Sequence, residues 1–236
     1  LAGSGEVLRQ RYTTLHDRLE RNAFGKPIDI ASEEGERNVR GHIHAEVRYP
    51  FSRLSQALAR PTEWCSILIL PINTKGCTAT VSGDQLSVFV GKKAAMLPEQ
   101  AYRIDFRFRV AARTPQYLRL ELDADKGPMG TRDHLWLEAT PIDDARSFMH
   151  LAYDTGYGTM TKMAMQAYLA TVGADKVGFS TLDEGRGNQG LVKGMRGVVE
   201  RNTMRYYLAI DSYLASYAMP AAERTEKALQ TWYDAT

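Results

Sequence analysis

The sequence predicts an α+β protein in which a curved antiparallel sheet of about seven strands wraps one long helix near the C-terminus. Two observations carry this reading. From Asn38 to Tyr153 the chain is a succession of alternating apolar and polar segments separated by turn residues. Over 191–217 apolar residues recur at mixed three- and four-residue steps, the spacing of a helix with one buried face. Met195, Val199, Asn202, Tyr206, Ile210, Tyr213 and Tyr217 fall on one stripe, and the strands supply the surface it packs against.

The elements follow in order. Residues 6–21 read as an amphipathic helix, with Leu8, Tyr12, Leu15 and Leu19 on one face. The polar stretch 31–36 reads as a surface loop. Over 38–49, Val39, Gly41, Ile43, Ala45 and Val47 alternate with Arg40, His42, His44 and Glu46, a strand with one buried face. Pro50 ends it, and Phe51, Leu54, Ala57 and Leu58 set out a short helix capped by Ser52, after which Pro61-Thr62-Glu63-Trp64 opens a second. Strands are then predicted over 77–81, 86–90, 102–110, 117–123, 133–140 and 147–153, with Ser82-Gly83-Asp84-Gln85 as a hairpin turn. Short connections imply an antiparallel meander. A helix over 159–172 carries Met160, Met163, Ala164, Ala167 and Tyr168 on one face, and an exposed tail helix follows Pro220. The expected organisation is an N-terminal helix and loop (1–36), a main domain (37–217) and a tail helix (218–236).

At 236 residues with 44% hydrophobic and 25% charged residues, the chain is ordinary globular material with enough sequence for a substantial core. A net charge of +2 with mixed signs offers no basic stripe, so no nucleic-acid partner is expected. No apolar run is long enough for a membrane-spanning helix; transient membrane contact and the oligomeric state stay open. The first residue is Leu1 rather than Met, as after removal of a secretory signal or after trimming. Cys65 and Cys77 lie twelve positions apart across a helix-to-strand junction, where a disulfide suited to an oxidising compartment and two half-buried thiols are both compatible with the spacing.

The first strand ending in Tyr49-Pro50-Phe51, the helix that follows and the Pro61-Thr62-Glu63-Trp64 passage, together with the order strand, two short helices, strands and long helix, resemble the START-like (SRPBCC, helix-grip) superfamily over roughly residues 38–217. An additional N-terminal helix, and a helix with a glycine-rich loop before the last long helix, depart from its usual pattern. The resemblance implies a cavity between sheet and C-terminal helix that binds or transports a lipid, sterol, polyketide or aromatic compound, lined by Phe106, Phe108, Leu120, Trp136, Met149, Met195, Tyr206 and Tyr213. Asn202 on the apolar stripe would orient a hydroxyl or carbonyl, and Arg205 would hold an anionic headgroup at the rim. A START-like cyclase or hydrolase, or a structural envelope protein whose core fills the cavity, are the alternatives.

Other constellations carry less. His42 and His44 share a strand face with charged residues, and His134 and His150 lie on other strands; the expectation is a wet outer surface without a metal. The loop 183–190 lacks the Walker and dinucleotide patterns, so no cofactor is expected, and it reads instead as a gate over the cavity. Glu200 reads as a surface partner of Arg201 or Arg205. Asp154 and Tyr157, at the end of the last strand, face either the pocket or solvent. No nucleophile motif is present, so no catalytic residue is assigned.

Overall fold

The computed structural model describes residues 2–181 and 190–236; the expected gating loop at 183–190, Gly190 apart, lies outside the described residues. Helix α1 (Ala2–Glu20) leads into a hairpin of β1 (Ile28–Glu34) and β2 (Asn38–Val47). Two short helices, α2 (Phe51–Leu58) and α3 (Pro61–Leu68), carry the chain to the far edge of the sheet. There β3 (Thr74–Ala79) starts a meander through β4 (Gln85–Val90), β5 (Tyr102–Thr114), β6 (Tyr117–Ala124), β7 (Arg132–Pro141) and β8 (Ser147–Gly156). The last strand returns to β2, giving one eight-stranded antiparallel sheet in the order β1-β2-β8-β7-β6-β5-β4-β3. Helices α4 (Thr159–Ala170), α5 (Gly194–Ser216) and α6 (Ala221–Ala235) complete the chain. None of the described helices is long and apolar enough to cross a membrane.

The eighth strand is the difference from the sequence reading. Residues 31–34, expected in a loop, continue β1, where Ser32 lies opposite Gly41 and Glu34 opposite Val39. Backbone pairing to one neighbour holds an edge strand whose side chains are largely polar, so its pattern is weak. The cap of α2 differs too: Pro50 stands at the cap position and no side chain caps the helix.

Strand alternation sorts the two faces. On the concave side Val39 and Ile43 of β2, Met149 and Leu151 of β8, Leu135 and Leu137 of β7, Leu118, Leu120 and Leu122 of β6, and Phe106 and Phe108 of β5 form the main core with α5. Register shifts at Val110/Ala112 and Thr74/Gly76 are bulges of the kind that bend a sheet around such a core. Trp64 is fully buried and ties the short helices together, its Nε1 donating to Leu58 O at 2.8 Å. Cys65 of α3 and Cys77 of β3 are joined by a disulfide. In the chain-entropy picture, closing so short a loop is worth about 3 kcal/mol.

Helix α5 is buried on more sides than one stripe requires, because α6 packs behind it while β1, β2 and β8 lie in front. On the convex side, Leu8, Tyr12, Leu15 and Leu19 of α1 cover Tyr117, Phe148 and Ala112. The sheet is therefore sandwiched at one end, and the outer face of β2 is only partly wet.

Candidate ligand pocket

One pocket opens on the concave side, where β2, β7 and β8 approach α4 and the first turns of α5. It encloses ≈ 210 Å³. Val39, Met165, Met195, Val198 and Val199 make it mostly apolar, and Asp133, Tyr153, Thr155, Tyr157 and Asn202 supply the polar part. The alternation of β7 and β8 places Asp133, Tyr153 and Thr155 on the concave face, in line with Leu135 and Leu151. A one-turn helix at Pro128–Gly130 forms the rim, with Met129 at φ 61, a left-handed conformation uncommon for a residue with a side chain. Thr161 Oγ1 of α4 donates to Met129 O at 2.9 Å and fastens that rim to the helix.

The polar groups differ in how well they are satisfied. Asp133 is 6% exposed; its Oδ1 accepts from Tyr153 Oη at 2.9 Å and from Thr155 Oγ1 at 2.6 Å, and its Oδ2 from Thr131 Oγ1 at 3.3 Å. Tyr157 is also 6% exposed, yet its buried hydroxyl has no hydrogen-bond partner. Burial, with Glu34 and Asp154 nearby, raises the Tyr157 phenol above its ordinary range, and burial, Tyr206 and Asp133 raise Tyr153 far more. Both stay protonated at neutral pH. Asn202 Oδ1 accepts from Arg205 Nη1 at 2.9 Å.

Of the residues named from the sequence, Met195 and Asn202 line this pocket. Tyr206 lies beside it, its ring 5.2 Å from that of Tyr153, and Arg205 reaches it through Asn202. Phe106, Phe108, Leu120 and Met149 are packed into the main core, with Phe108 6.5 Å from Trp64, so they line no open space there. Tyr213 lies further along α5 and donates its hydroxyl to Glu63. Trp136 is on the convex face, with Arg40 stacked over its ring at 5.2 Å. Its even register with His134 and Glu138 turns it away from Leu135 and Leu137.

Asp133, Tyr153 and Thr155 escaped the sequence reading. The signal was an acid in step with Leu135 and Leu137. Tyr157 faces the pocket, whereas Asp154 faces outward and binds Asn38 and Arg40. Glu200 is not at the surface: its fully buried carboxylate accepts from the N–H groups of Phe179 and Ser180, from Ser180 Oγ and from Ser32 Oγ. It fastens the segment before α5 to β1.

The histidines also sit differently from expectation. His42, His44 and His150 converge where β2 pairs with β8; the His44 and His150 rings stack at 4.4 Å, and a 3.1 Å hydrogen bond links His42 to His150. A carboxylate lies beside them, with His150 Nδ1 3.2 Å from Glu138 Oε2. Burial and His150 lower His42, and burial and the neighbouring His150 and His42 hold His44 down at about 2. The three rings form a packed ladder in which His42 and His44 are held toward the neutral form. Among the described residues, Glu121, Asp123 and His134 bring three metal-type ligand atoms within 4.8 Å of one another, but Glu121 is already paired with Arg119 and Arg109.

A long antiparallel sheet, two short helices crossing to its far edge and a C-terminal helix held in the concave side are now in view. The fold is a helix grip. Neither a family model nor a curated protein matches the sequence. Among solved structures the chain is similar to a conserved protein from Geobacillus kaustophilus (13% identity, TM-score 0.44, covering 75% of this chain and 95% of that one). It is also similar to a START superfamily protein from Mycobacterium smegmatis (13%, TM-score 0.37, 61% and 92%) and to Ara h 8.0201 (9%, TM-score 0.42, 80% and 99%). At such values the likeness carries no argument about ligands, and the helix-grip description rests on this chain's own topology.

Proposed function

We propose that this protein binds a small, mostly apolar molecule with one polar end in the pocket between β2, β7, β8 and α5. The observation that carries the reading is the Tyr157 hydroxyl, buried without a partner beside a pocket walled mostly by apolar side chains. Leaving such a group unpaired costs about 1–3 kcal/mol, and a ligand that hydrogen-bonds to it recovers that energy. Size selects the ligand class. Drug-sized ligands occupy pockets of roughly 300–1,000 Å³, so ≈ 210 Å³ suits a single ring or a short chain rather than a sterol or a long acyl lipid. The concave side beyond it is filled by Phe106, Phe108 and Leu120. A neighbouring cleft at the strand ends is larger, ≈ 510 Å³, but charged residues such as Arg37, Asp125 and Arg132 line it, and it suits water better than an apolar ligand. Asp133 already accepts three hydroxyl bonds, which favours holding a ligand over general acid or base chemistry.

The test is titration with benzyl alcohol, followed through the labelled methyl groups of Met165 and Met195. Saturable shifts at both, with affinity about tenfold weaker in Tyr157→Phe, support the proposal. A water molecule would satisfy Tyr157 equally well; in that case neither methyl moves, and the reading fails. The Cys65–Cys77 disulfide supports an exported, periplasmic or secreted, setting. Alkylation of intact cells before lysis tests this, since two reactive thiols would place the protein in a reducing compartment.

A further inference from the structure

Asp133 is a buried carboxylate held by hydroxyl groups rather than by an ion pair among the described residues. Its partners are the three hydroxyl groups of Tyr153, Thr155 and Thr131. Hydroxyl dipoles offset part of the cost of burying a charge, but a countercharge offsets much more. The bonds are also unevenly shared. Oδ1 takes two short ones, while Oδ2 takes a single long one and keeps acceptor capacity, since a carboxylate offers about four lone-pair sites. Gly127 packs closely on one side of that oxygen, where a Cβ would lie 2.4 Å from it, and the open space that Asp133 borders is the pocket itself.

Resting on the pocket reading above, we infer that the molecule held there is a cation, a small primary amine on a short apolar body. An ammonium group carries three N–H donors and no acceptor, which matches a carboxylate with spare capacity and a phenolic oxygen without a partner in one pocket. Tyrosine rings and methionine sulfur are favourable surroundings for a desolvated cation, the rings through their π faces. Four nearby cations bear on this, of which Arg37 and Arg132 line the neighbouring cleft that Asp133 and Tyr157 also border. Lys162 Nζ lies outside, 6.0 Å from the centre of the Tyr157 ring, and donates to Glu36 O. Arg205 is turned toward Asn202 and forms no ion pair with Asp133. A carboxylate ligand, by contrast, would be brought against Asp133.

The experiment compares three ligands of one shape on the wild-type protein: benzylamine, benzyl alcohol and benzoate. Benzylamine is expected to bind about tenfold or more tightly than benzyl alcohol, with benzoate weakest. In Asp133→Asn the preference for the amine over benzyl alcohol disappears. Equal binding of amine and alcohol overturns this inference and leaves the pocket reading standing. Benzoate as the tightest ligand overturns it in favour of Arg205. Binding of none of the three removes both. Because the comparison runs first on the unmodified chain, a poorly folding Asp133→Asn variant does not rescue the inference.

Discussion

Gly41 of β2 packs tightly against Thr203 of α5: a Cβ added at Gly41 would lie 2.3 Å from Thr203 Oγ1 and 3.2 Å from Val199 O. The hydroxyl cannot swing freely, because it donates to Val199 O at 2.8 Å. Gly41→Ala is therefore expected to destabilise the protein by about 1–3 kcal/mol through overpacking. Thr203→Ala in the same chain should restore part of the loss. Urea denaturation reads both effects, and an alanine variant as stable as the parent would mean that the contact is looser than described.

Glu200 organises the segment that precedes α5. Replacing it with alanine leaves the part-buried N–H groups of Phe179 and Ser180 without their acceptor, at a cost of about 1 kcal/mol for each group. Glu200→Gln keeps one acceptor oxygen and should lose less. Hydrogen exchange at Phe179 and Ser180 should accelerate in the alanine variant before global unfolding does. Unchanged protection would show that other contacts hold the segment.

The histidine ladder predicts the acid side of the stability curve. Burial, with His150, His42, Arg11 and Arg18 around it, holds folded His44 down at about 2, against an ordinary value of 6.5; Asp29, 4.0 Å from Nδ1, does not outweigh these. The unfolded chain thus binds the proton more readily, and stability falls as pH drops below about 6.5. Glu138 adds a second decline. Burial works against its ionised form, but hydrogen bonds from His150 and Tyr117 hold it at about 2, so its contribution is lost as pH falls from about 4.5 toward 2. His44→Phe, which keeps a ring beside Phe148, should flatten the fall in urea midpoint between pH 7 and pH 5. A variant whose midpoint drops as steeply as the parent's would exclude His44 as the source.

Particular residues show how far the sequence could be read. The strict alternation over 38–47 gave both the position of β2 and its buried face, because a strand that is wet on one side writes a period of two into its residues. Trp136 shows the same rule misapplied. Its size suggested a cavity wall, yet its parity with His134 and Glu138 already turned it outward. β1 was hidden because an edge strand draws its stability from backbone pairing. The convergence of His42, His44 and His150 was hidden because it depends on β8 returning to lie beside β2, more than a hundred residues later.

What the sequence determined by itself was local: the helical and strand periods, the breaks at proline and glycine, and the order of elements that resembles a helix grip. These follow from interactions among residues a few positions apart. Tertiary structure alone decided that Phe106, Phe108 and Leu120 fill the concave side, that an opening survives beside Asp133 and Tyr157, that Cys65 meets Cys77 and that Glu200 is buried. Each depends on which distant side chains occupy the same space, and a cavity is the volume that packing leaves over.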